Sequence, residues 1–425
     1  MSPNLANWLA RLEQQHPRAI DLGLDRVRAV HARLGLGRPA RHVVTVGGTN
    51  GKGSTVAFVE AIARAAGHRV GAYTSPHLLA FNERIRIDGE DAGDAPIIEA
   101  FEAVEAARDG VSLTYFEVAT LAALWLFARA GLDLAILEVG LGGRLDATNI
   151  VEPDVAVITT VDLDHQDWLG PDVEAIGFEK AGIARAWKPL VLGDDDPPSS
   201  VLRHAYAIGA KTLRIGCDFF IDDADDEAGW RWREVGREVE LPLPALAAPA
   251  QLRNAAVAIA ALRAIDLRID DEALRCGVAS ARLPGRLQRV ESGGVDYVLD
   301  VAHNPQAARQ VADWLAAQPA VRTQAVFAAL GDKDAAGIVD ALAAHVDAWH
   351  LAGLPGQGGR AIDAAELATR LPATVADAAT CSPDVAAAID RAAAQARPGE
   401  RVLVLGSFHT VAAGLHRLGA QPPRA

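Results

Sequence analysis

The sequence predicts an α/β protein with two parallel-sheet domains, residues 1–283 and a smaller one over 284–425. Three observations carry that expectation. Short β-branched runs alternate with alanine-rich stretches of helical spacing, the pattern of a parallel sheet joined by crossover helices. A glycine-rich turn separates the first such run from the first strong helix former. Finally, Leu283-Pro284-Gly285-Arg286 breaks a helix-forming region, and the alternation then resumes.

Taken in order, Val43–Val46, Leu134–Leu137 and Val155–Ile158 read as buried strands of the first domain. Gln251–Ile265, rich in alanine, leucine and arginine, reads as its last long helix. After the break, Tyr297–Val301, Ala325–Phe327 and Arg401–Leu405 supply strands for the second domain. The Asp194–Pro198 and Asp222–Glu227 runs are expected to be loops, and no internal repeat or low-complexity tract is apparent.

The 425 residues, 50% of them hydrophobic, are enough for two cores. With 41 Lys+Arg against 55 Asp+Glu the formal charge is −14, which argues against a general nucleic-acid or acidic-membrane surface. An anionic ligand must therefore meet a local cluster of cations. Cys217, Cys276 and Cys381 form no C-x-x-C pair and are expected to be inert core thiols in a reducing cytoplasm. The start, Met1 to Trp8, lacks a basic segment followed by an apolar run, and the longest apolar stretch, Val118–Ala128, is shorter than the roughly 20 residues a membrane span needs. No coiled-coil repeat is present, and a monomer is expected.

The glycine-rich turn is Gly47-Gly48-Thr49-Asn50-Gly51-Lys52-Gly53-Ser54. Backbone N–H groups of such a turn and the following helix N-terminus can cradle phosphates, with Lys52 on the terminal phosphates and Ser54 helping to hold Mg²⁺. It is a variant of the usual phosphate-loop pattern, because Val46 stands where a glycine is common and Gly53 separates the lysine from the serine.

That loop resembles the one in the Mur-type ligase superfamily, whose members activate a carboxylate as an acyl phosphate and form an amide. Further segments resemble its folylpolyglutamate synthase branch: Asp21–Arg26, Thr74–Leu78, Leu113–Glu117, Glu138–Asn149, Asp164-His165, Glu179–Ile183 and Asp300–Pro305. The likeness runs from about Asp21 to Thr410, and Glu138–Asn149 is its most specific string. It implies a P-loop-type ATPase domain followed by a Rossmann-like domain that closes over ATP and binds glutamate. The expected substrates are dihydropteroate, reduced folates and L-glutamate, with ATP and one or two Mg²⁺ ions.

Residue by residue, the resemblance implies nucleotide contacts at Thr49, Asn50, Gly51, Lys52, Gly53, Ser54, Asn254, Arg286 and Asp300. It implies metal binding at Ser54, Ser75, Glu138, His165 and Lys180, the last as a carbamate, since an ammonium cannot coordinate a cation. Lys52, Lys180 and His303 are the implied catalytic residues. The pterin side is assigned to Asp21, Leu22, Gly23, Leu24, Thr114, Tyr115, Phe116, Glu117, Leu145, Asp146 and Ala147, and the glutamate side to His303 and Ser407. Physical chemistry agrees in part: Tyr115 and Phe116 can stack on a flat heterocycle and carboxylates can accept its N–H groups. Read alone, aromatics before an apolar helix are more often core, and a single glutamate or histidine is more often a cap or surface group. Asp332-Lys333-Asp334 is either an active-site loop or a solvated charge run. Two other functions remain in view, a peptidoglycan-precursor amino-acid ligase and a nucleotide-binding regulatory ATPase without ligase activity.

Overall fold

Five consecutive buried residues make β1 (His42–Gly47) a strand covered on both faces. It lies in the middle of the larger sheet of the computed structural model, which describes residues 4–18, 20–223, 229–356 and 360–420. The other strands of this sheet are β2 (Val70–Tyr73), β3 (Ile85–Ile87), β4 (Glu90–Asp91), β5 (Leu134–Glu138), β6 (Val155–Ile158), β7 (Pro189–Leu192) and β8 (Lys211–Arg214). Their order is β4-β3-β2-β5-β1-β6-β7-β8. Every pairing from β2 to β8 is parallel, and β3 and β4 add an antiparallel edge. The chain leaves β1 through helix Lys52–Ala65 for β2 on one side, whereas it leaves β6 through helix Val173–Ala181 for β7 on the other. The winding reverses between β1 and β6, and open α/β sheets take their ligands at the carboxyl ends of such strands.

Helix Tyr115–Ala130 shows how the core positions the site. It is apolar nearly all round and buries ten of its residues, each fully buried leucine or phenylalanine contributing about 1.5–3 kcal/mol. A capping box of Thr114 and Glu117 starts it, and Gly131 in the left-handed conformation ends it. A second anchor is the antiparallel sheet of β9 (Phe219–Asp223), β10 (Gly229–Glu234) and β11 (Arg237–Pro242), ordered β11-β10-β9. Its buried Trp232 donates from Nε1 to the Ala256 carbonyl at 3.2 Å, clamping helix Ala250–Arg263. Helix Asp271–Ser280 packs on helix Lys52–Ala65 so closely that a Cβ on Gly277 would lie 2.4 Å from Ile62 Cα.

The remaining strands form a second sheet: β12 (Gln288–Ser292), β13 (Val295–Asp300), β14 (Thr323–Phe327), β15 (Ala348–Ala352), β16 (Thr380–Ser382) and β17 (Arg401–Leu405). The order is β12-β13-β17-β14-β15-β16, parallel throughout except for the β12 edge. The chain thus divides into one unit that runs to Ala245 and includes Leu252–Ala281, and another made of Leu246–Gln251 and the residues from Arg282 onward.

Two expectations need correction. The three cysteines are exposed, not core thiols: Cys217 sits in the turn after β8, Cys276 on helix Asp271–Ser280 and Cys381 in a three-residue strand. The acidic run from Asp222 is not wholly a loop, because Asp222 belongs to β9 and pairs with Arg233 at 2.8 Å, as a strand with a solvated face allows. Asp223 ends the same strand, and residues 224–228, which include 224–227 of that run, lie outside the described residues. Asp194–Pro198 is a loop. Among the described residues no helix is long and apolar enough to cross a membrane.

Candidate active site

The glycine turn leaves β1 at Gly47 and enters helix Lys52–Ala65 at Lys52, with Gly51 (φ 86°) as its N-cap. Gly48 (φ 145°) is pressed against the strand end of β6: an added Cβ would lie 1.9 Å from Thr159 Oγ1. Hydrogen bonds lock the turn to the segment after β6. The Thr49 N–H donates to the Thr160 carbonyl at 2.7 Å, and the Thr159 hydroxyl donates to the Asn50 carbonyl at 2.6 Å. Thr49 Oγ1 both donates to the Asp162 carbonyl (3.1 Å) and accepts from the Asp162 N–H (3.0 Å). Lys52 folds back, its Nζ donating to the carbonyls of Gly48 at 3.0 Å and Thr49 at 3.1 Å. Ser54 is buried in the first helical turn. Asn254, on the helix clamped by Trp232, closes the other side, its Oδ1 2.6 Å from where a Gly51 Cβ would be. Gly53 follows Lys52 in the same first turn.

The expected cation ligands collect around this turn. Glu138 ends β5, where its register partner in β1 is Val46. Its buried carboxylate accepts the Ser75 N–H at 3.1 Å. On the other side, Lys180 is 4% exposed at the end of helix Val173–Ala181. Burial, then the charge of Lys52, push its ammonium down to about 7, while Asp164 opposes them. Asp164 Oδ2 also lies 3.8 Å from His165 Nε2, and His165 takes a left-handed conformation (φ 52°). Among the described residues no three His, Cys, Asp or Glu side chains converge on a cation site. The donor set nonetheless fits Mg²⁺, which keeps several waters and uses one or two carboxylates beside substrate phosphates.

On the expected pterin side, three segments meet through Arg26 and a cluster of rings. Arg26 pairs with Asp21 at 2.8 Å and with Glu117 at 3.1 Å, joining Asp21–Leu24 to the start of helix Tyr115–Ala130. Glu117 also accepts the Thr114 N–H at 2.7 Å. Tyr115 and Phe116 are half-buried. Phe116 packs on Tyr73 (centroids 6.0 Å) and against Gly140, where a Cβ would be 2.6 Å from its Cζ. Arg84 lies over the Tyr115 ring at 5.4 Å and donates to His77 Nδ1 at 2.8 Å. Asp146 is 3% exposed and accepts four hydrogen bonds from Gly140, Leu141 and Thr148. It thereby fixes the loop that presents half-buried Leu145 and buried Ala147.

In the second unit, Asp300 ends β13 and accepts the N–H groups of Leu287 and Ala302, both at 2.8 Å. Burial raises its carboxyl, and Arg286 lowers it. His303 Nδ1 lies 2.9 Å from the Val301 carbonyl, and its ring is 6.2 Å from that of Phe408. Arg286 lies over the same Phe408 ring at 5.4 Å. Arg286, Asp300, His303 and Phe408 therefore share one edge of the second sheet. Ser407 caps helix Phe408–Arg417, accepting the Thr410 N–H at 3.0 Å. Asp332 pairs with Arg360 at 2.8 Å, and Asp334 caps helix Ala335–Leu342.

The Mur ligase middle domain matches residues 46–262 and the Mur ligase glutamate ligase domain matches residues 285–408. A dihydrofolate synthase/folylpolyglutamate synthase of Escherichia coli (strain K12) is 47% identical over 410 residues, 96% of this chain and 94% of that protein. The chain belongs to the dihydrofolate synthase/folylpolyglutamate synthase family of Mur-type ligases. An Escherichia coli structure in complex with DHPP and ADP superposes with TM-score 0.92 at 45% identity, covering 98% of both chains. A bifunctional folylpolyglutamate synthase/dihydrofolate synthase with Mn, AMPPNP and L-glutamate bound gives TM-score 0.90 at 46% identity, again over 98% of both.

Several residues that shape this family member's site carry no sequence signal. Arg84, Arg86 and Glu60 look like ordinary surface charges in the sequence, and only the fold brings Arg84 to His77 and Arg86 to Glu60. Phe408 stands beside Ser407, and one cue was available: an aromatic directly after a strand end and a serine cap.

Proposed function

We propose that this chain is an ATP-dependent carboxylate–amine ligase that adds L-glutamate to dihydropteroate, forming dihydrofolate, and to reduced folates, forming folylpolyglutamates. The observation that carries the reading is the phosphate loop at the β1/β6 switch point, flanked by the Ser75–Glu138 pair on one side and by Lys180, Asp164 and His165 on the other. Two polar elements of different charge around one loop suit a nucleotide triphosphate with its metal better than they suit a simple anion.

The chemistry joins two displacements. A carboxylate oxygen of the pterin acid attacks the γ-phosphorus of ATP and ADP leaves; the glutamate amine then attacks the acyl carbon, phosphate leaves and the nitrogen loses a proton. The Thr49–Ser54 turn and Lys52 orient the phosphates and offset the charge that spreads over the transferring group. Ser54, Ser75 and Glu138 would hold Mg²⁺, with His165 and a carbamylated Lys180 holding a second ion; the metal supplies charge neutralisation at the phosphoryl oxygens. The carbamate reading rests on the family resemblance and on a buried cation placed beside Lys52, a poor arrangement for an ammonium. Asp21–Leu24, Thr114–Glu117 and Leu145–Ala147 line the pterin side. Asn254, Arg286 and Asp300 are assigned to the nucleotide, and His303 and Ser407 to glutamate. We assign ATP and the pterin to residues 1–283 and glutamate to 284–425, in a cytoplasmic monomer.

The test is ADP release by the purified protein with Mg²⁺-ATP and glutamate, dihydropteroate or tetrahydrofolate being added in separate reactions and products weighed by mass spectrometry. One glutamyl unit gained by each acceptor is the expected result. Turnover with neither refutes the reading and leaves peptidoglycan precursors as the acceptors to try.

A further inference from the structure

A buried ion pair joins the phosphate-loop helix to the segment that carries Ser75. Glu60 lies on helix Lys52–Ala65, below the turn that holds Lys52 and Ser54, and is 4% exposed. Arg86, on β3, grips it with two nitrogens: Nη2 donates to Glu60 Oε2 at 2.7 Å and Nε to the same oxygen at 3.0 Å. The third nitrogen, Nη1, reaches the Glu83 carbonyl at 3.2 Å and Thr74 Oγ1 at 3.4 Å. Thr74 is itself held from both ends, its N–H donating to the Arg84 carbonyl at 2.9 Å and its hydroxyl to the Glu83 carbonyl at 3.2 Å. The next residue is Ser75, whose N–H meets Glu138. Glu138 and Asp91 add their charges to that of Glu60 around the Arg86 guanidinium.

We infer that Arg86, fixed by Glu60, is a positioning residue for the divalent cation: it sets the Thr74–Ser75 segment and the Glu138 carboxylate at a fixed distance from the phosphate loop. The inference rests on reading Ser75 and Glu138 as the metal side chains. A buried ion pair gives little net stability compared with well-packed apolar groups of the same volume, so stability alone does not explain the arrangement. Geometry does. The guanidinium is planar and holds a carboxylate, a carbonyl and a hydroxyl at once, which an ammonium cannot do with the same rigidity. It also places one positive charge within electrostatic reach of Glu138.

The experiment uses Mn²⁺ as probe, counted by electron paramagnetic resonance as it binds the full-length protein with AMPPNP, alongside thermal unfolding. The variants are Glu60→Leu/Arg86→Met, Arg86→Lys and Glu138→Gln. The double variant removes the pair without stranding either charge, so it should fold. The expected result is Mn²⁺ binding at least tenfold weaker in the double variant, with an unfolding temperature close to that of the parent, and an intermediate loss in Arg86→Lys. Mn²⁺ affinity within twofold of the parent in a folded double variant overturns the inference; if Glu138→Gln still loses Mn²⁺, the metal-site reading stands without it. Unchanged Mn²⁺ affinity in Glu138→Gln overturns both. Should the double variant fail to fold, Arg86→Lys decides, and a parent-like affinity there is again a refutation.

Discussion

Gly48→Ala tests whether the phosphate loop is held by close approach to the segment after β6. Two costs add. At φ 145° an L side chain is strained, which costs about 1–3 kcal/mol. The new Cβ would sit 1.9 Å from Thr159 Oγ1 and 3.1 Å from both Thr159 Cβ and N. Ordinary heavy-atom contact is about 3.5 Å, so the hydroxyl must retreat by roughly 1.5 Å, more than a rigid neighbour can absorb. The movement breaks the 2.6 Å hydrogen bond to the Asn50 carbonyl, a further net loss of about 0.5–1.5 kcal/mol. The expected total is about 2–4 kcal/mol in urea unfolding, with kcat/KM for ATP falling about a hundredfold because the cradle is displaced. Gly48→Ala/Thr159→Ala removes the clashing oxygen and with it the hydrogen bond, so the double variant should relieve the clash while keeping the strain of about 1–3 kcal/mol and the hydrogen-bond loss of about 0.5–1.5 kcal/mol. A single variant that loses less than about 1 kcal/mol and binds ATP normally would show that the loop is not held by this contact.

Three further outcomes follow from named contacts. Lys52→Ala removes two hydrogen bonds to loop carbonyls and the cation on the phosphates, so ADP release should vanish while circular dichroism stays unchanged; ligation at the normal rate would sink the phosphate-loop reading. Asp146→Ala strands the N–H groups of Gly140, Leu141 and Thr148 and should cost about 2–4 kcal/mol in unfolding, with KM for the pterin acid rising as the 140–148 loop loosens. His350, 1% exposed, lies 2.8 Å from Thr380 Oγ1 and 2.9 Å from the Gln324 amide, and burial lowers its pKa. Its folded form therefore stays neutral where the unfolded chain takes up a proton. The stability this neutral form gives is complete above about pH 6.5 and falls as pH drops below it, by at most about 1.4 kcal/mol per pH unit. His350→Gln should flatten that dependence in pH-dependent unfolding; an unchanged slope would rule the residue out.

Much of the fold was legible because its signals are local. β1, the glycine turn and helix Lys52–Ala65 follow one another within 24 residues, and the Thr114/Glu117 capping box spans four residues. Glu138 could be placed at a sheet edge because the strand before it is a run of leucine, isoleucine and alanine. What was not legible is what depends on pairing across the fold. Arg86 meets Glu60 from 26 residues away, and Arg26 meets Glu117 from 91. A charged side chain in isolation gives no sign of which it will be, since a solvated lysine or arginine and a buried clamp have the same composition. The cysteines failed for a related reason: a small thiol tolerates core or surface, and single positions carry no periodicity to decide between them.

The carboxylates of the proposed pterin side differ in what they have left to offer a ligand, and this bears on how a flat heterocycle would be recognised. A carboxylate has about four lone-pair sites. Asp146 uses four, so its contribution is to hold the loop between Gly140 and Thr148, not to bond the ring directly. Glu117 is almost wholly buried and divided between the helix cap and Arg26. Asp21, with its side chain 24% exposed, is paired to Arg26 yet still meets solvent. If these segments hold the pterin as proposed, recognition by shape would fall to Tyr115 and Phe116, half-buried at the helix start, and hydrogen bonding to backbone groups of the loops that the buried acids keep in place. Sites built this way tolerate loss of a peripheral acceptor better than loss of the residue that fixes the loop. The Asp146 substitution should accordingly harm pterin binding more than removal of the Asp21 carboxylate does.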